Sequence, residues 1–483
     1  MKVLFTAVNA KYVHTNIAVR YLKGYVKKHG IDAEFAEFTI NETKDDVLKK
    51  LYMSYADVYG FSCYIWNIGF VLSVARNLKL LKPECKIILG GPEVSFDAEK
   101  LLEENPFIDI IVCGEGEKEI LKILKNGNFS EKAAYAKSPV SLDELDFPYT
   151  DGDLEACVKG EKLIYYETSR GCPFSCSYCL SSVTDGVRYR SLDLVKAEIG
   201  KMAEAGALTI KFVDRTFNAD RKRAAEIWEF CSKLPGKTKY HFEIGADLLD
   251  ENSLEILKNV PPDKFLFEIG VQSTNPETLA SVCRKTDMKK LIDNIKELKK
   301  FGNIHLHLDL IAGLPYEDYH SFARSFNELF ELKPDELQLG FLKFLKGSRI
   351  RKNAADFGGA YSFDAPYGVF YTDFISAEDI IKLKNIEDVF ERYYNSGRFL
   401  NSIFYAAKQF SSPFVFFEKL SEFFDQKNLI GQGVKRISLY ELLYKFMSEN
   451  TEENALENFR ILLKKDFANW HANGIGTPDW YKL

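Results

Sequence analysis

The chain has 483 residues, 46% of them hydrophobic and 28% charged, a composition of a folded protein too long for one core, so two or three domains are expected. A net charge of -6 argues against a broadly basic nucleic-acid-binding surface, and runs such as Arg349-Ile350-Arg351-Lys352 read as solvated faces. No apolar run approaches the ~20 residues of a membrane span, and Val3 to Val8 is too short for a signal-peptide core, so a cytoplasmic protein without a membrane partner is expected.

Over residues 1–130, apolar runs at Val3 to Val8, Glu34 to Phe38, Asp57 to Ser62, Lys86 to Leu89 and Asp109 to Val112 alternate with helix-length segments such as Ile17 to Lys28 and Ile68 to Leu80. The alternation predicts βαβ units and a parallel, Rossmann-like (flavodoxin-like) sheet. Ligands of such sheets lie beyond the carboxyl ends of the strands. Those ends carry Asn9, Ser62, the turn Gly90-Gly91-Pro92-Glu93 with Ser95, and the turn Gly114-Glu115-Gly116-Glu117. No G-x-G-x-x-G follows the first strand, which disfavours a plain nucleotide site. Residues 131–160, with Pro139, Pro148 and the acidic run Asp143 to Asp146, read as a crossing linker.

Across residues 161–350 the alternation resumes, with strands near 163–168, 208–213, 240–245, 264–271, 304–311 and 336–342 and helices such as Leu192 to Ala205, Asp220 to Leu234 and Met288 to Phe301. Six βα units predict a partial TIM-like barrel with its chemistry at the carboxyl ends of the strands. The first strand leads into Cys172, Cys176 and Cys179, spaced C-x3-C-x2-C. Three thiolates at this spacing can close on one iron-sulfur cluster and leave one iron without a protein ligand. Zinc would want a fourth ligand nearby, and the next histidine is His241. Nine cysteines, an odd number and scattered outside the trio, fit a reducing compartment better than a disulfide framework. Along the fifth barrel strand His305, His307 and Asp309 share one face, which invites a metal reading beside a scaffolding one. From 351 to 483 crowded aromatics and helical periodicity over Ala377 to Tyr394, Phe414 to Phe424, Ser438 to Ser448 and Thr451 to Phe467 predict an α-helical C-terminal domain. Trp470-His471 near Gly474-Ile475-Gly476 is a candidate tail contact.

The cysteine trio with Tyr178 before its third member, and the strand-end pieces Gly270-Val271-Gln272-Ser273 and Gly313-Leu314-Pro315, resemble the radical S-adenosylmethionine (radical SAM) superfamily. The Gly-Gly-Pro and Gly-Glu-Gly-Glu turns ahead of the cysteines resemble the cobalamin-binding domain at the N-terminus of one large branch. The resemblance implies a [4Fe-4S] cluster on Cys172, Cys176 and Cys179. It further implies S-adenosylmethionine contacts at Tyr178, Asp214, Glu243, Glu268, Gln272 and Arg284. Asp214 stands where the superfamily often has a Gly-Gly-Glu-like segment that contacts the methionine amino group. Cobalamin contacts are implied at Asn9, Ser62, Gly90, Gly91, Pro92, Glu93, Ser95, Gly114, Glu115 and Gly116.

The activity implied is reductive cleavage of S-adenosylmethionine to a 5′-deoxyadenosyl radical, followed by cobalamin-dependent methyl transfer to an unactivated carbon, with a flavodoxin or ferredoxin as reductant. Radical cyclisation, oxidation or methylthiolation without that transfer, and a non-catalytic iron-sulfur or corrinoid sensor, stay open as alternatives. No residue is assigned as catalytic. Cobalamin domains with a protein ligand to the metal carry D-x-H-x-x-G after strand one, whereas this chain has Asn9-Ala10-Lys11-Tyr12-Val13-His14, so His14 reads as a loop hydrogen bond or phosphate contact, with an axial ligand left open as the alternative. Methylthiotransferases hold a second cluster on three N-terminal cysteines. Cys63 and Cys113 lie at carboxyl strand ends but Cys85 precedes its strand, so these three read as ordinary buried residues.

Overall fold

In the computed structural model, which describes residues 1–130, 132–183, 186–470 and 478–482, the N-terminal apolar runs form one six-stranded parallel sheet. Its strands are β1 (Val3–Asn9), β2 (Ala33–Thr39), β3 (Val58–Ser62), β4 (Lys86–Gly90), β5 (Ile110–Cys113) and β6 (Ala133–Tyr135), in the order β2-β1-β3-β4-β5-β6. Every residue of β1 is buried, as a strand covered by helices on both faces requires. One core layer contains Tyr59, Phe61 and Leu89, and the layer on the opposite face contains Phe5, Val58 and Ile88. The strand order reverses between β1 and β3, so the ligand crevice of a doubly wound sheet opens beside Asn9 and Ser62.

The segment expected as a bare linker contributes β6 and a helix, Asp151–Lys159, whose first turn is closed by a capping box between Thr150 and Asp153. A strand of three residues carries no readable period, which is why it escapes a pattern reading.

The first barrel strand is shorter than its apolar run. β7 (Ile164–Tyr166) ends before the cysteines, and β8 (Ser169–Gly171) then pairs antiparallel with β9 (Val187–Tyr189), so the cysteine loop is bracketed by a hairpin. The barrel continues with β10 (Thr209–Phe212), β11 (Lys239–Ile244), β12 (Phe265–Gln272), β13 (Ile304–Ala312) and β14 (Glu336–Phe341). All pairings are parallel, in the order β14-β13-β12-β11-β10-β7, which leaves β7 and β14 as edges of an open barrel. Along β12 the odd positions Phe265, Phe267, Ile269 and Val271 are buried under the helices, and the even positions Leu266, Glu268, Gly270 and Gln272 are half-buried on the lumen face. Stacked rings behind the sheet, Phe212 and Phe242 at 4.6 Å, set the outward faces and thereby send the polar residues inward.

After a short hairpin of β15 (Ala360–Tyr361) and β16 (Val369–Tyr371), the C-terminal residues form helices that share the barrel's core. Phe326 of the barrel helix Tyr319–Glu331 lies 5.2 Å from Phe390, which lies 4.7 Å from Phe417. Helix Ala377–Phe390 runs into one π-helical turn, Glu391–Asn395. That turn aims Asn395 at the edge of β14, where its side chain accepts from Leu337 N and donates to Leu337 O, both at 3.0 Å, as a neighbouring strand would. Trp470 is exposed, and His471 and Gly474-Ile475-Gly476 lie outside the described residues. Among the described residues no helix is long and apolar enough to cross a membrane.

Candidate active site

The cysteine loop leaves β8 at Gly171, whose φ of +108° and whose place 2.2 Å, measured from an ideal Cβ, from Gly186 O admit no side chain. Within the loop Ser177 N donates to Val282 O and Ser177 O accepts from Ile350 N, each at 2.9 Å. Cys176 is buried, and Cys172 and Cys179 are half-buried.

Just before the loop, Asp214 takes hydrogen bonds from Thr168 N at 3.0 Å, Thr168 Oγ1 at 2.6 Å and Ser169 Oγ at 2.5 Å. It is 1% exposed and does not line the cavity beside the cysteines, so the expected contact to a methionine amino group does not fit it. Its carboxylate instead anchors the backbone that carries the cysteine hairpin. Burial pushes its pKa up to about 6 against the pull of the three donors.

A cavity of about 260 Å³ joins Cys172, Cys176 and Cys179 to Tyr178, Glu243, Glu268, Gln272 and Arg284. It adjoins a wider depression of about 630 Å³ along Phe174, Thr274 and Lys285. The Arg284 guanidinium donates to the Tyr178 hydroxyl at 3.3 Å and to the Gly270 carbonyl, and lies 4.0 Å from Cys176 Sγ. Gln272 sits at a bulge against β13 in the left-handed region, φ +75°, a conformation that costs ~1 kcal/mol or more and marks functional sites. Its amide folds back over Gly270, where an added Cβ would lie 2.1 Å from Gln272 Nε2.

Two of the cavity carboxylates differ sharply. Glu268 accepts from His241 Nε2 at 2.9 Å and Lys211 Nζ at 3.0 Å, which hold its pKa down at about 2 against the desolvation that burial imposes. That carboxylate is satisfied within the barrel. Glu243 makes no hydrogen bond or ion pair among the described residues, and burial, then Glu268, push its pKa up to about 7. The buried Gln272 Oε1 and Arg284 Nε also have no partner. A free carboxylate and acceptor together with a free guanidinium donor fit a ligand bearing both an ammonium and a carboxylate, as the methionine moiety of S-adenosylmethionine does.

His305 and His307 approach Glu336 at 3.2 and 3.6 Å, and His307 approaches Asp309 at 3.1 Å, so these rings serve lumen carboxylates. Among the described residues no three His, Cys, Asp or Glu side chains surround the point a single metal ion would occupy. All three cysteines line the one cavity, where three thiolates can hold an iron-sulfur cluster and leave one iron without a protein ligand. Glu317, which no sequence pattern singles out, ties the end of β12 to helix Tyr319–Glu331 by accepting from Ser273 at 2.8 Å and from Ser325 at 3.2 Å.

At the other expected site, small residues gather at the carboxyl ends of β1, β3, β4 and β5. Asn9 Nδ2 donates to His14 O at 3.0 Å, and Ser62 Oγ accepts from Asn16 Nδ2 at 3.5 Å. Gly90 ends β4, Pro92 follows half-buried, and Gly116 opens helix Gly116–Asn126. Gly91 has φ +111°, and a Cβ there would lie 2.5 Å from Cys63 O. Ser95 Oγ donates to Gly91 O at 2.8 Å and accepts from Gly114 N at 3.3 Å, so it binds the two glycine turns together.

Two acidic side chains expected there turn elsewhere. Glu93 is buried, accepts from the Tyr367 hydroxyl and pairs with Lys346 at 3.5 Å. Glu115 pairs with Arg170 and Arg188. His14 Nδ1 is hydrogen-bonded to the Tyr165 hydroxyl at 2.6 Å, across to the barrel. Cys63 and Cys113 end at the carboxyl side of the sheet and Cys85 at the amino side of β4, and burial raises the pKa of all three thiols.

Three described families match the chain: a B12 binding domain over residues 3–124, the radical SAM superfamily over 166–329, and a protein of unknown function (DUF4080) over 355–482. This chain is a radical SAM protein with an N-terminal B12-binding domain. It is an enzyme, and the cofactors of that branch are a [4Fe-4S] cluster, S-adenosylmethionine and cobalamin. An uncharacterized methyltransferase of Pyrococcus horikoshii is 26% identical over 330 residues, 64% of this chain and 71% of that one. The cobalamin-dependent radical SAM methyltransferase TokK of Streptomyces tokunonensis is 26% identical over 311 residues, and the match spans 57% of this chain and 45% of TokK. The fold is that of OxsB, a cobalamin-dependent S-adenosylmethionine radical enzyme solved with aqua-cobalamin and S-adenosylmethionine, at TM-score 0.66 and 16% identity over 96% of this chain and 78% of that one.

Proposed function

We propose that this radical SAM protein cleaves S-adenosylmethionine at a cluster held by Cys172, Cys176 and Cys179, and directs a methyl group from cobalamin to an unactivated carbon of its substrate. The observation that carries the reading is the single cavity shared by the three cysteines and the free polar groups of Glu243, Gln272 and Arg284. When bound, the cluster supplies an electron to the sulfonium, giving a 5′-deoxyadenosyl radical, and the corrin supplies the methyl group.

The chain's own residues position and neutralise. Arg284 places positive charge beside Cys176, which offsets the charge of a thiolate-held cluster. Glu243 receives the ammonium, and Gln272 completes its hydrogen bonds. Asp214 keeps the loop in register from behind. We assign corrin binding to residues 1–130, radical generation to 161–350 and substrate selection to 351–483, with a flavodoxin or ferredoxin as electron donor in the cytoplasm. Relatives described as methyltransferases support methyl transfer, and relatives described as tRNA-2-methylthio-N(6)-dimethylallyladenosine synthases make methylthiolation the second reading.

Anaerobic protein loaded with iron, sulfide and cobalamin, given reductant and S-adenosylmethionine, is expected to form 5′-deoxyadenosine. With substrate it is expected to form S-adenosylhomocysteine and a methylated product as well. 5′-Deoxyadenosine without S-adenosylhomocysteine would assign a cyclisation or oxidation, and the absence of both would overturn the reading.

A further inference from the structure

Glu115 stands between two arginines that oppose each other across the cluster hairpin. Arg170 of β8 and Arg188 of β9 are register partners, and like charges directly opposite in an antiparallel pair repel. One carboxylate answers both of them. Glu115 Oε2 accepts from Arg170 Nη1 at 2.9 Å, and Glu115 Oε1 accepts from Arg188 Nη2. Arg170 reaches a second carboxylate of the same turn, Glu117, at 3.0 Å, and is oriented by Glu167, just ahead of β8, at 2.8 and 3.0 Å. The Glu117 side chain is 7% exposed and that of Arg170 20%, so salt screens this pair less than a surface pair.

The position of the clasp gives it a meaning beyond stability. β8 and β9 are the two ends of the loop that carries Cys172, Cys176 and Cys179, so a group holding both arginines holds both ends of that loop. On its other side Glu115 lies between Gly114 and Gly116, in the turn that Ser95 ties to Gly91. One carboxylate therefore joins the glycine turns of the B12-binding domain to the cluster loop of the radical SAM domain.

We propose that Glu115 is a positioning residue through which cobalamin occupying the glycine turns orders the cysteine loop. This rests on the cobalamin reading above. Corrin seated on the turns fixes the Glu115 backbone, the fixed carboxylate holds Arg170 and Arg188, and the hairpin mouth stays closed at the spacing the cluster needs.

The test is hydrogen-deuterium exchange of peptides covering 172–179 in anaerobically purified, cluster-loaded protein, with and without hydroxocobalamin, for wild type, Glu115→Ala and the double variant Glu115→Ala/Arg188→Ala. In wild type, cobalamin is expected to slow exchange of the loop several-fold. Glu115→Ala leaves Arg188 with no carboxylate opposite Arg170, which Glu117 and Glu167 still hold, so its loop is expected to exchange several-fold faster and to ignore cobalamin, while the corrin absorption bands still report binding. Deleting the second arginine removes the repulsion, so the double variant is expected to regain most of the loop protection but none of the response to cobalamin. A Glu115→Ala loop that responds to cobalamin like wild type would overturn the proposal, as would a double variant no better protected than the single one. If wild type takes up no corrin by absorption, the cobalamin reading and the coupling both fail, and the two variants without corrin still decide whether the clasp holds the loop.

Discussion

The Arg284 guanidinium lies 4.0 Å from Cys176 Sγ and 3.3 Å from the Tyr178 hydroxyl, so a fixed cation sits against the thiol that is most buried of the three. A positive charge there favours the reduced cluster, because the added electron is attracted to it. Arg284→Met is expected to lower the cluster's reduction potential by about 60 mV, the one-electron equivalent of ~1.4 kcal/mol. An electron paramagnetic resonance titration at controlled potential reads this directly, and an unchanged midpoint would remove Arg284 from the electrostatics of the site.

Glu243 should make ligand binding pH-dependent. Its carboxyl, ordinarily ionised above about 4.5, titrates near 7 in the fold, so between those pH values the unfolded chain holds fewer protons and rising pH costs stability. Only the ionised form attracts an ammonium. S-adenosylmethionine is expected to bind roughly tenfold more tightly at pH 8 than at pH 6, and Glu243→Gln to flatten that profile while raising stability at pH 8 by ~2–3 kcal/mol. Equilibrium dialysis and denaturant titration at the two pH values test both signs.

Gly270 is required by its neighbour rather than by its own backbone. A methyl group there would occupy the space of the Gln272 amide, and that flexible end would swing out of the cavity. Gly270→Ala is therefore expected to weaken S-adenosylmethionine binding about tenfold, the worth of ~1.4 kcal/mol of lost hydrogen bonding, with a melting temperature within a few degrees of wild type. A variant that instead unfolds would show the glycine to be a packing requirement.

Asn395 tests how far the C-terminal helices support the barrel. Its amide is the partner of both Leu337 backbone groups on the open edge, so Asn395→Ala leaves a donor and an acceptor unmatched. A loss of ~1–3 kcal/mol is expected by urea unfolding. Faster exchange at the Leu337 amide would place that loss at β14, and no change there would assign the stability of the edge to the aromatic core alone.

Much of the architecture is legible locally. Strand β12 is readable within a residue at each end because apolar and polar positions alternate along it, and the cysteine spacing points to its chemistry because three candidate ligands lie within eight positions of the chain. The free cavity groups Glu243 and Gln272 are marked by the family resemblance, and both stand near carboxyl strand ends.

Asp214, Glu93 and Glu115 stand at equivalent strand ends and carry the same carboxylate, yet each is turned away from the ligand its position suggests. Asp214 is claimed by Thr168 and Ser169, Glu93 by Tyr367 and Glu115 by Arg170 and Arg188. By itself the sequence determined most of the strands in the two parallel sheets and marked the three thiols proposed to hold the cluster, because period and spacing are properties of neighbouring residues. Only the tertiary structure decided which carboxylates stay free for a ligand, because a buried carboxylate must find hydrogen-bond donors or a counter-charge in space, and those partners lie 45 to 274 residues away along the chain.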